Sequence, residues 1–574
     1  MFYDIPATLS DEINELEAFV RRYLEGNTDA EVLKVRRVPF GCYEQRENGT
    51  YMLRIRCPGG ALTPRQLRTI AVLSKTHGRN SIHITTRQEF QIHNLKLMDV
   101  VPIVRELLSV GLATRGGGGN TVRNIIVSPD AGISADEVFD PSPYVFALTS
   151  RLIAEPNSWT LPRKFKIAFS NSDSDSAYAQ FNDLGFIASL KQGEPGFRVY
   201  VAGGMGARPE VGHALHEFIP ADDVYNVAEA AKRLFAKYGN RKDKHTARLR
   251  FLWKELGEER FRELYEEELH QLRGEGVGAL DLSEPRTHAA SLAFSAIADH
   301  SSAFQFWKKR YVVAQHQTGL CSILIPVFLG NLKNDDAITL ALFLEPFGED
   351  TLRATLEQNL RLRNIPEEYL GNVYAVVRRI SDLSSAPALL AHAKACAGAD
   401  TCRLGICLSQ GALRAVKDKL IGSGLDLDQI SDFKLNLSGC PNTCGQHMIA
   451  NLGFYGKVGR HGDRMVPAYG VVAGAVVGAG EARLARNMGQ INSRAIPSFI
   501  EDILKIWIQK KARFSSFAAY IDSEGAHDIH AICERHRAVP NSELDDAHFV
   551  DWDAKQAFSL AGRRPGECSA GPET

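Results

Sequence analysis

Four cysteines in two close pairs carry the clearest chemical signal in this chain: Cys396 and Cys402 enclose five residues, and Cys440 and Cys444 enclose three. Thiolates are soft anionic ligands, and four of them on two loops suit an iron–sulfur cubane, in which each iron takes one sulfur from the protein. A structural zinc ion also takes four thiolates, and unliganded thiols are the third reading. Zinc knuckles usually keep two to four residues between paired ligands, so that both sulfurs reach one tetrahedral ion. A five-residue spacer fits that poorly. Both loops, Cys-Ala-Gly-Ala-Asp-Thr-Cys and Ser-Gly-Cys-Pro-Asn-Thr-Cys-Gly, carry the small residues and proline that let backbone turn tightly around a bulky inorganic core.

A second signal is cationic. Three segments, Leu53-Arg-Ile-Arg-Cys-Pro-Gly-Gly, Asn120-Thr-Val-Arg-Asn and Leu161-Pro-Arg-Lys-Phe-Lys, place Arg54 with Arg56, and Lys164 with Lys166, two residues apart. On a strand each pair shares a face. Like charges side by side repel, an arrangement that makes sense around an anion. Solvated surface cations are the alternative, since Lys and Arg are mostly exposed.

The elements that must position these groups follow from periodicity. Ser10 as N-cap and Ile13, Leu16, Val20 and Leu24 on one face predict a packed helix over 10–24. The stretch around 51–58 reads as strand, 64–76 as helix, the alternating run 81–94 as strand and 99–111 as helix. Gly116-Gly-Gly-Gly reads either as a close approach of backbone to a ligand or as a flexible loop. A second copy of this plan begins near residue 320. Thr85-Thr-Arg-Gln-Glu-Phe-Gln-Ile-His-Asn aligns without a gap on Thr355-Leu-Glu-Gln-Asn-Leu-Arg-Leu-Arg-Asn at an offset of 270. Val201-Ala-Gly-Gly echoes Val472-Ala-Gly-Ala, each trailed by a helical pattern, 227–238 and 499–510. Such order implies duplicated halves about a pseudo-two-fold axis.

At 574 residues, 44% hydrophobic and 24% charged, the chain has material for three or four globular domains. Its 67 Lys and Arg nearly balance 68 Asp and Glu, so no global field points to nucleic acid or an anionic membrane, and any anion site must be local. The start lacks a basic region followed by an apolar stretch, and no run of eighteen apolar residues occurs. Cytoplasmic residence is the expectation. The six other cysteines, at 42, 57, 321, 407, 533 and 568, read as reduced thiols.

Together these segments resemble the siroheme-dependent sulfite and nitrite reductase family over about residues 40–515. The resemblance rests on the cysteine quartet, Gly-Cys-Pro-Asn-x-Cys-Gly, Thr-x-Arg-Gln-x-x-Gln at 85–91, Pro-Arg-Lys-Phe-Lys at 162–166 and the duplication. It implies an α+β fold, duplicated about a pseudo-two-fold axis, with two ferredoxin-like half-domains and two siroheme- and cluster-binding domains. The expected divisions are an N-terminal helical segment (1–40), the first half-domain (41–112), the first siroheme-binding domain with the substrate cations (113–270), a connector (271–310), the second half-domain (311–385), the second siroheme- and cluster-binding domain (386–515) and a partly ordered tail (516–574).

By the same resemblance, Cys396, Cys402, Cys440 and Cys444 hold a [4Fe–4S] cluster, and Cys444 is shared with the siroheme iron. Arg54, Arg123, Lys164 and Lys166 bind the oxyanion, with the lysines as proton sources. Arg87, Gln91 and Arg163 bind siroheme carboxylates, and Asn442 stands beside the cluster loop. Nitrite reductases of the family resemble Pro-Arg-Lys-Phe-Asn where this chain has Lys166, so the second lysine favours sulfite, a dianion that gains more from an extra cation. The first cysteine loop matches neither subgroup. The implied reaction is the six-electron reduction of sulfite to sulfide, with reduction of nitrite to ammonia, or cofactor carriage without turnover, as alternatives. Val201-Ala-Gly-Gly-Met-Gly lacks the full dinucleotide-binding context, so the donor is expected to be a separate protein, most simply ferredoxin, with Arg241-Lys-Asp-Lys-His as a docking rim or a solvated helix start. Cys568 lies in a Gly/Pro-bounded tail, with an incidental thiol as the plainer reading.

Overall fold

The computed structural model describes residues 2–276, 278–282, 292, 294–537 and 546–564. The first helix, Leu9–Leu24, turns Leu9, Ile13, Leu16 and Val20 into the core. Its N-cap is Thr8, not Ser10, and no side chain caps it. Thr63, in contrast, forms a full capping box with Gln66 at the head of Pro64–His77, satisfying two orphan donors at once. The alternating run at 81–94 divides into two strands, Ser81–Ile84 and Phe90–Leu95. Gln88, at φ 59°, adopts the left-handed conformation that lets the chain reverse between them.

Strands Cys42–Glu44, Tyr51–Ile55, Phe90–Leu95 and Ser81–Ile84 form one antiparallel sheet, completed by Asn331–Lys333 from the second half. Strands Val312–Ala314, Leu320–Ile325, Leu360–Pro366 and Leu352–Ala354 form its counterpart. The exchange is reciprocal: Asn331 pairs with His83, and Ala61 bridges Arg353. Side chains of both sheets and their helices, including Leu53, Ile84, Ile323 and Leu352, share a single apolar core. The two half-domains are therefore one packing unit.

Two further five-stranded sheets have the same topology. One runs Ile126–Val127, Ile167–Ser170, Leu184–Lys191, Glu194–Val201, His213–Pro220. The other runs Lys394–Ala395, Leu435–Ser438, Leu452–His461, Arg464–Ala473, Arg486–Asn492. In both, two parallel pairings are followed by two antiparallel ones. Each sheet is backed by a long helix, Val224–Tyr238 or Ile496–Lys510. The fold is thus α+β and duplicated.

The described part of the C-terminal tail is anchored to the body of the protein. Helix Ala526–Arg537 buries Ile529, Ile532 and Cys533 against the last core. Farther on, the buried Asp551 carboxylate accepts from Leu408 N at 2.7 Å and from Ser493 Oγ at 2.8 Å. Arg564 N donates to Arg403 O at 3.1 Å, so the described C-terminal residues strap down the loop that follows Cys402. A few buried anchors suffice to hold a largely polar segment. Cys568 and much of 283–293 within the connector lie outside the described residues. Among the described residues, no helix is long and apolar enough to cross a membrane.

Candidate active site

A cavity of about 340 Å³ opens where the first half-domain meets the two larger sheets. Arg54 reaches it from strand Tyr51–Ile55, Arg87 and Gln91 from the turn and strand that follow Ser81–Ile84, and Arg123, Lys164 and Lys166 from the 113–166 loops. From the opposite wall come all four quartet cysteines and Asn442. Segments more than 300 residues apart in sequence thus meet in one space.

Carbonyl and amide oxygens orient the arginines, and Arg54 also stands 3.7 Å from the Glu89 carboxylate. Arg54 Nη1 donates to Gly117 O at 2.9 Å and Arg123 Nη1 to the same oxygen at 2.6 Å, so the glycine loop joins the two guanidinium groups. The Gln91 amide, with its carbonyl turned to Arg54, accepts from Nε at 3.0 Å and Nη2 at 2.9 Å. Arg87 donates to Asn182 Oδ1 and to the carbonyls of Asn124 and Ile167. Burial pulls its guanidinium down to about 9. Lys164 is lowered to about 7, first by burial and then by Arg248, Arg163 and Arg123, while Cys444 works the other way. Lys166 falls well below the ordinary lysine range through burial and the neighbouring Lys164. Such lowering is what an uncompensated cationic cavity produces, and an entering anion reverses it.

The thiols converge electrostatically as well. Cys440 is raised far above an ordinary thiol by burial, with Cys444, Cys396 and Cys402 adding to the effect. Four thiolates this close repel one another unless cations share them. Yet among the described residues no three His, Cys, Asp or Glu side chains could hold one metal ion. The five-residue spacer between Cys396 and Cys402 suits a cubane better than a tetrahedral zinc knuckle. Local backbone agrees: Thr443 and Gln446 flank Cys444 with φ of 57° and 59°, and Gly439 N donates to Cys396 Sγ at 3.2 Å, a contact that favours thiolate.

Three expectations change. Arg56 does not pair with Arg54 at the cavity: it is 1% exposed and donates to the carbonyls of Arg115, Arg123 and Val122. It holds the glycine loop, whose Gly116 leaves space for the Arg56 guanidinium itself. In that loop Gly117 O accepts from both Arg54 and Arg123. Arg163 does not line the cavity; its Nη1 faces Asn120 Oδ1 at 3.4 Å, because alternation that points Lys164 and Lys166 inward turns their neighbour away. The Arg241–His245 run is a turn after helix Val224–Tyr238, not a helix start, with Asn240 Oδ1 accepting from Lys242 N and Asp243 N.

Residues not singled out in the sequence also line the cavity. Tyr43 stacks its ring 5.3 Å from the Arg54 guanidinium. His93 meets Gln91, and His83, lowered to about 4 by burial, is a neutral ring bonded to Asn331 Oδ1 at 2.9 Å. The alternation of 81–94 could have flagged both histidines. Nothing local flags Tyr43, Tyr178 or Met205, which arrive from separate loops.

A duplicated α+β scaffold carrying a thiolate ring beside a cationic cavity defines an anion-reducing class of redox protein, and similarity places the chain within it. The family model described as the nitrite/sulfite reductase ferredoxin-like half domain matches twice, at residues 43–110 and 313–380. The nitrite and sulphite reductase 4Fe-4S domain matches residues 118–272, the copy that supplies the cations, whereas the quartet lies in the other copy. The chain is similar to a ferredoxin–nitrite reductase of Synechococcus elongatus, 32% identical over 75% of this chain and 81% of that protein. It is also similar to sulfite reductase [ferredoxin] 2 of Mycolicibacterium paratuberculosis, 28% identical over 84% of this chain and 86% of the relative. The solved structure of Mycobacterium tuberculosis NirA protein superimposes with a TM-score of 0.76 at 25% identity, covering 90% of this chain and 97% of that one. This chain belongs to the nitrite and sulfite reductase family, oxidoreductases with a [4Fe–4S] cluster and siroheme.

The residues present fit both groups. The thiol ring suits the cluster, and the cavity beside Cys444 carries buried polar atoms without a protein partner, Arg87 Nε and Arg123 Nε. Cationic donors left open in a buried space match a cofactor rich in carboxylates.

Proposed function

We propose that this protein reduces sulfite to sulfide by six electrons, delivered singly by a ferredoxin-like protein. In this reading Cys396, Cys402, Cys440 and Cys444 hold the cluster, and Cys444 is shared with siroheme. Arg87, Gln91 and Asn442 hold the siroheme periphery; Arg163, turned from the cavity, would act there only through Asn120. When bound, the coupled centre would pass electrons to the substrate. The chain's own residues do the rest. Arg54 and Arg123, fixed by one carbonyl, hold the oxyanion at a set angle. Lys164 and Lys166 regain their protons as the dianion enters and can release them to departing oxygen, which guanidinium does poorly. Water exclusion strengthens each of these attractions.

The observation that carries the choice of sulfite is Lys166, a second lysine facing the cavity beside Lys164. A dianion compensates two buried ammonium groups better than a monoanion does. Nitrite reduction to ammonia is the second reading, supported by the 32% identical relative named as a ferredoxin–nitrite reductase. The Lys166→Asn variant, assayed with reduced viologen, tests the choice: sulfite kcat/KM should fall about tenfold more than nitrite kcat/KM, a difference of about 1.4 kcal/mol. Equal losses overturn it. No sulfide and no ammonia from cofactor-loaded protein would favour carriage without turnover.

A further inference from the structure

Behind the Cys444 loop lies a buried cation that the reaction outlined above does not use. Lys394 is 2% exposed and begins the short strand that leads into Cys396. Its ammonium donates to Leu356 O at 3.3 Å and to Gln446 Oε1. Gln446 stands two residues beyond Cys444 in the left-handed conformation. Its amide donates in turn to Thr86 O at 3.3 Å, and Thr86 Oγ1 donates to Cys444 O at 3.0 Å. These bonds close a ring from the ammonium to the backbone of the cysteine. Burial works against the charge on Lys394, as does Lys434, while the Glu357 carboxylate supports it. In the first half the position equivalent in strand register is Ile126, an uncharged side chain.

A buried lysine is costly and adds little stability, so its retention behind a cysteine loop asks for another reason. We propose that Lys394 is a positioning residue for Cys444: it fixes the loop through Gln446 and places a positive charge behind the thiolate, making the metal centre easier to reduce. Charge and hydrogen bonding near cluster sulfurs set reduction potential, and Glu357 tempers the effect. The inference rests on the reading of Cys444 as a ligand of the centre, but not on which anion is reduced.

The test is an EPR-monitored redox titration of the cofactor-loaded protein. Lys394→Met should make reduction about tenfold less favourable, equivalent to about 59 mV for one electron, whereas Lys394→Arg should keep most of the wild-type potential. Glu357→Gln provides an independent measurement and should shift the potential the opposite way. Unchanged potentials in variants with full iron and siroheme content overturn the proposal, as do shifts of the same sign in Lys394→Met and Glu357→Gln. If Lys394→Met does not fold, the Glu357→Gln shift decides. Failure of the Cys444 reading shows separately, as normal cluster and siroheme spectra in Cys444→Ser.

Discussion

The turns Thr85–Glu89 and Thr355–Asn359 have nearly the same backbone and opposite chemistry. Each closes with a 2.9 Å bond from its threonine N–H to the last carbonyl, and each puts a glutamine in the left-handed region. Gln88 Nε2 donates to Ala354 O at 3.1 Å, and Gln358 Nε2 returns the contact to Ile84 O at 3.0 Å. At the equivalent position between, the first turn carries Arg87 and the second Glu357. Around Arg87 stand Lys164 and Lys166, and among the described residues Glu44 and Glu89 are the carboxylates that line the same cavity. Around Glu357 stand Lys394 and Lys434, which together lower its pKa, and the Tyr178 ring lies 5.4 Å and 5.2 Å from their ammonium groups. One half leaves its cations for a ligand; the other neutralises them internally. Duplication preserved the frame because the glutamines and exchanged bridges need both copies, whereas side chains at the turn tips were free to diverge.

The most damaging way to break this division is to remove its metal side. Cys444→Ser should abolish haem and cluster absorption together and reduce viologen-driven turnover to background, while Cys407→Ser, just outside the ring, should keep both spectra. Next comes protonation of the open half. With Lys164 lowered to about 7, the free enzyme loses its charged form as pH rises through that value, so kcat/KM should fall toward tenfold per pH unit above it. Lys164→Arg should move that limb upward. The comparison of the two proteins cancels the substrate's own ionisation.

Smaller effects test the shared frame. Gln88→Ala strips bonds to Ala354 O, Val127 O and Val127 N and should cost about 2–3 kcal/mol in urea unfolding, since buried groups lose their partners. Gln358→Ala, with fewer bonds, should cost about 1–2 kcal/mol. A clearly larger loss at Gln358 would mean that the closed half carries the stability. Least affected should be the surface: reversing the exposed Lys242 and Lys244 to Glu should raise KM for ferredoxin several-fold in low salt, and leave viologen-driven rates unchanged. Equal ferredoxin kinetics would exclude that turn as a docking rim.

Much of this was readable before any coordinates. That the four cysteines could meet at one cavity was legible because tight loops leave fixed spacings. Lys164 and Lys166 were legible through alternation, and the duplication through the repeated Thr-x-x-Gln turn. Arg54 and Arg56 show the limit: the same alternation was present, but one guanidinium reached the cavity while the other was consumed by three carbonyls. No local pattern distinguishes a cation that serves a ligand from one that serves the backbone.

The chain's residue order alone determined which groups exist in pairs and which loops can carry metal, since both are properties of neighbours along the backbone. The tertiary structure decided which cations remain available, because Glu357, Gly117 and the glycine-loop carbonyls come from other segments and compete for them. It also decided that the tail belongs to the cluster loop, through the buried Asp551. Charge in a low-dielectric interior acts through space, and only folding sets those distances.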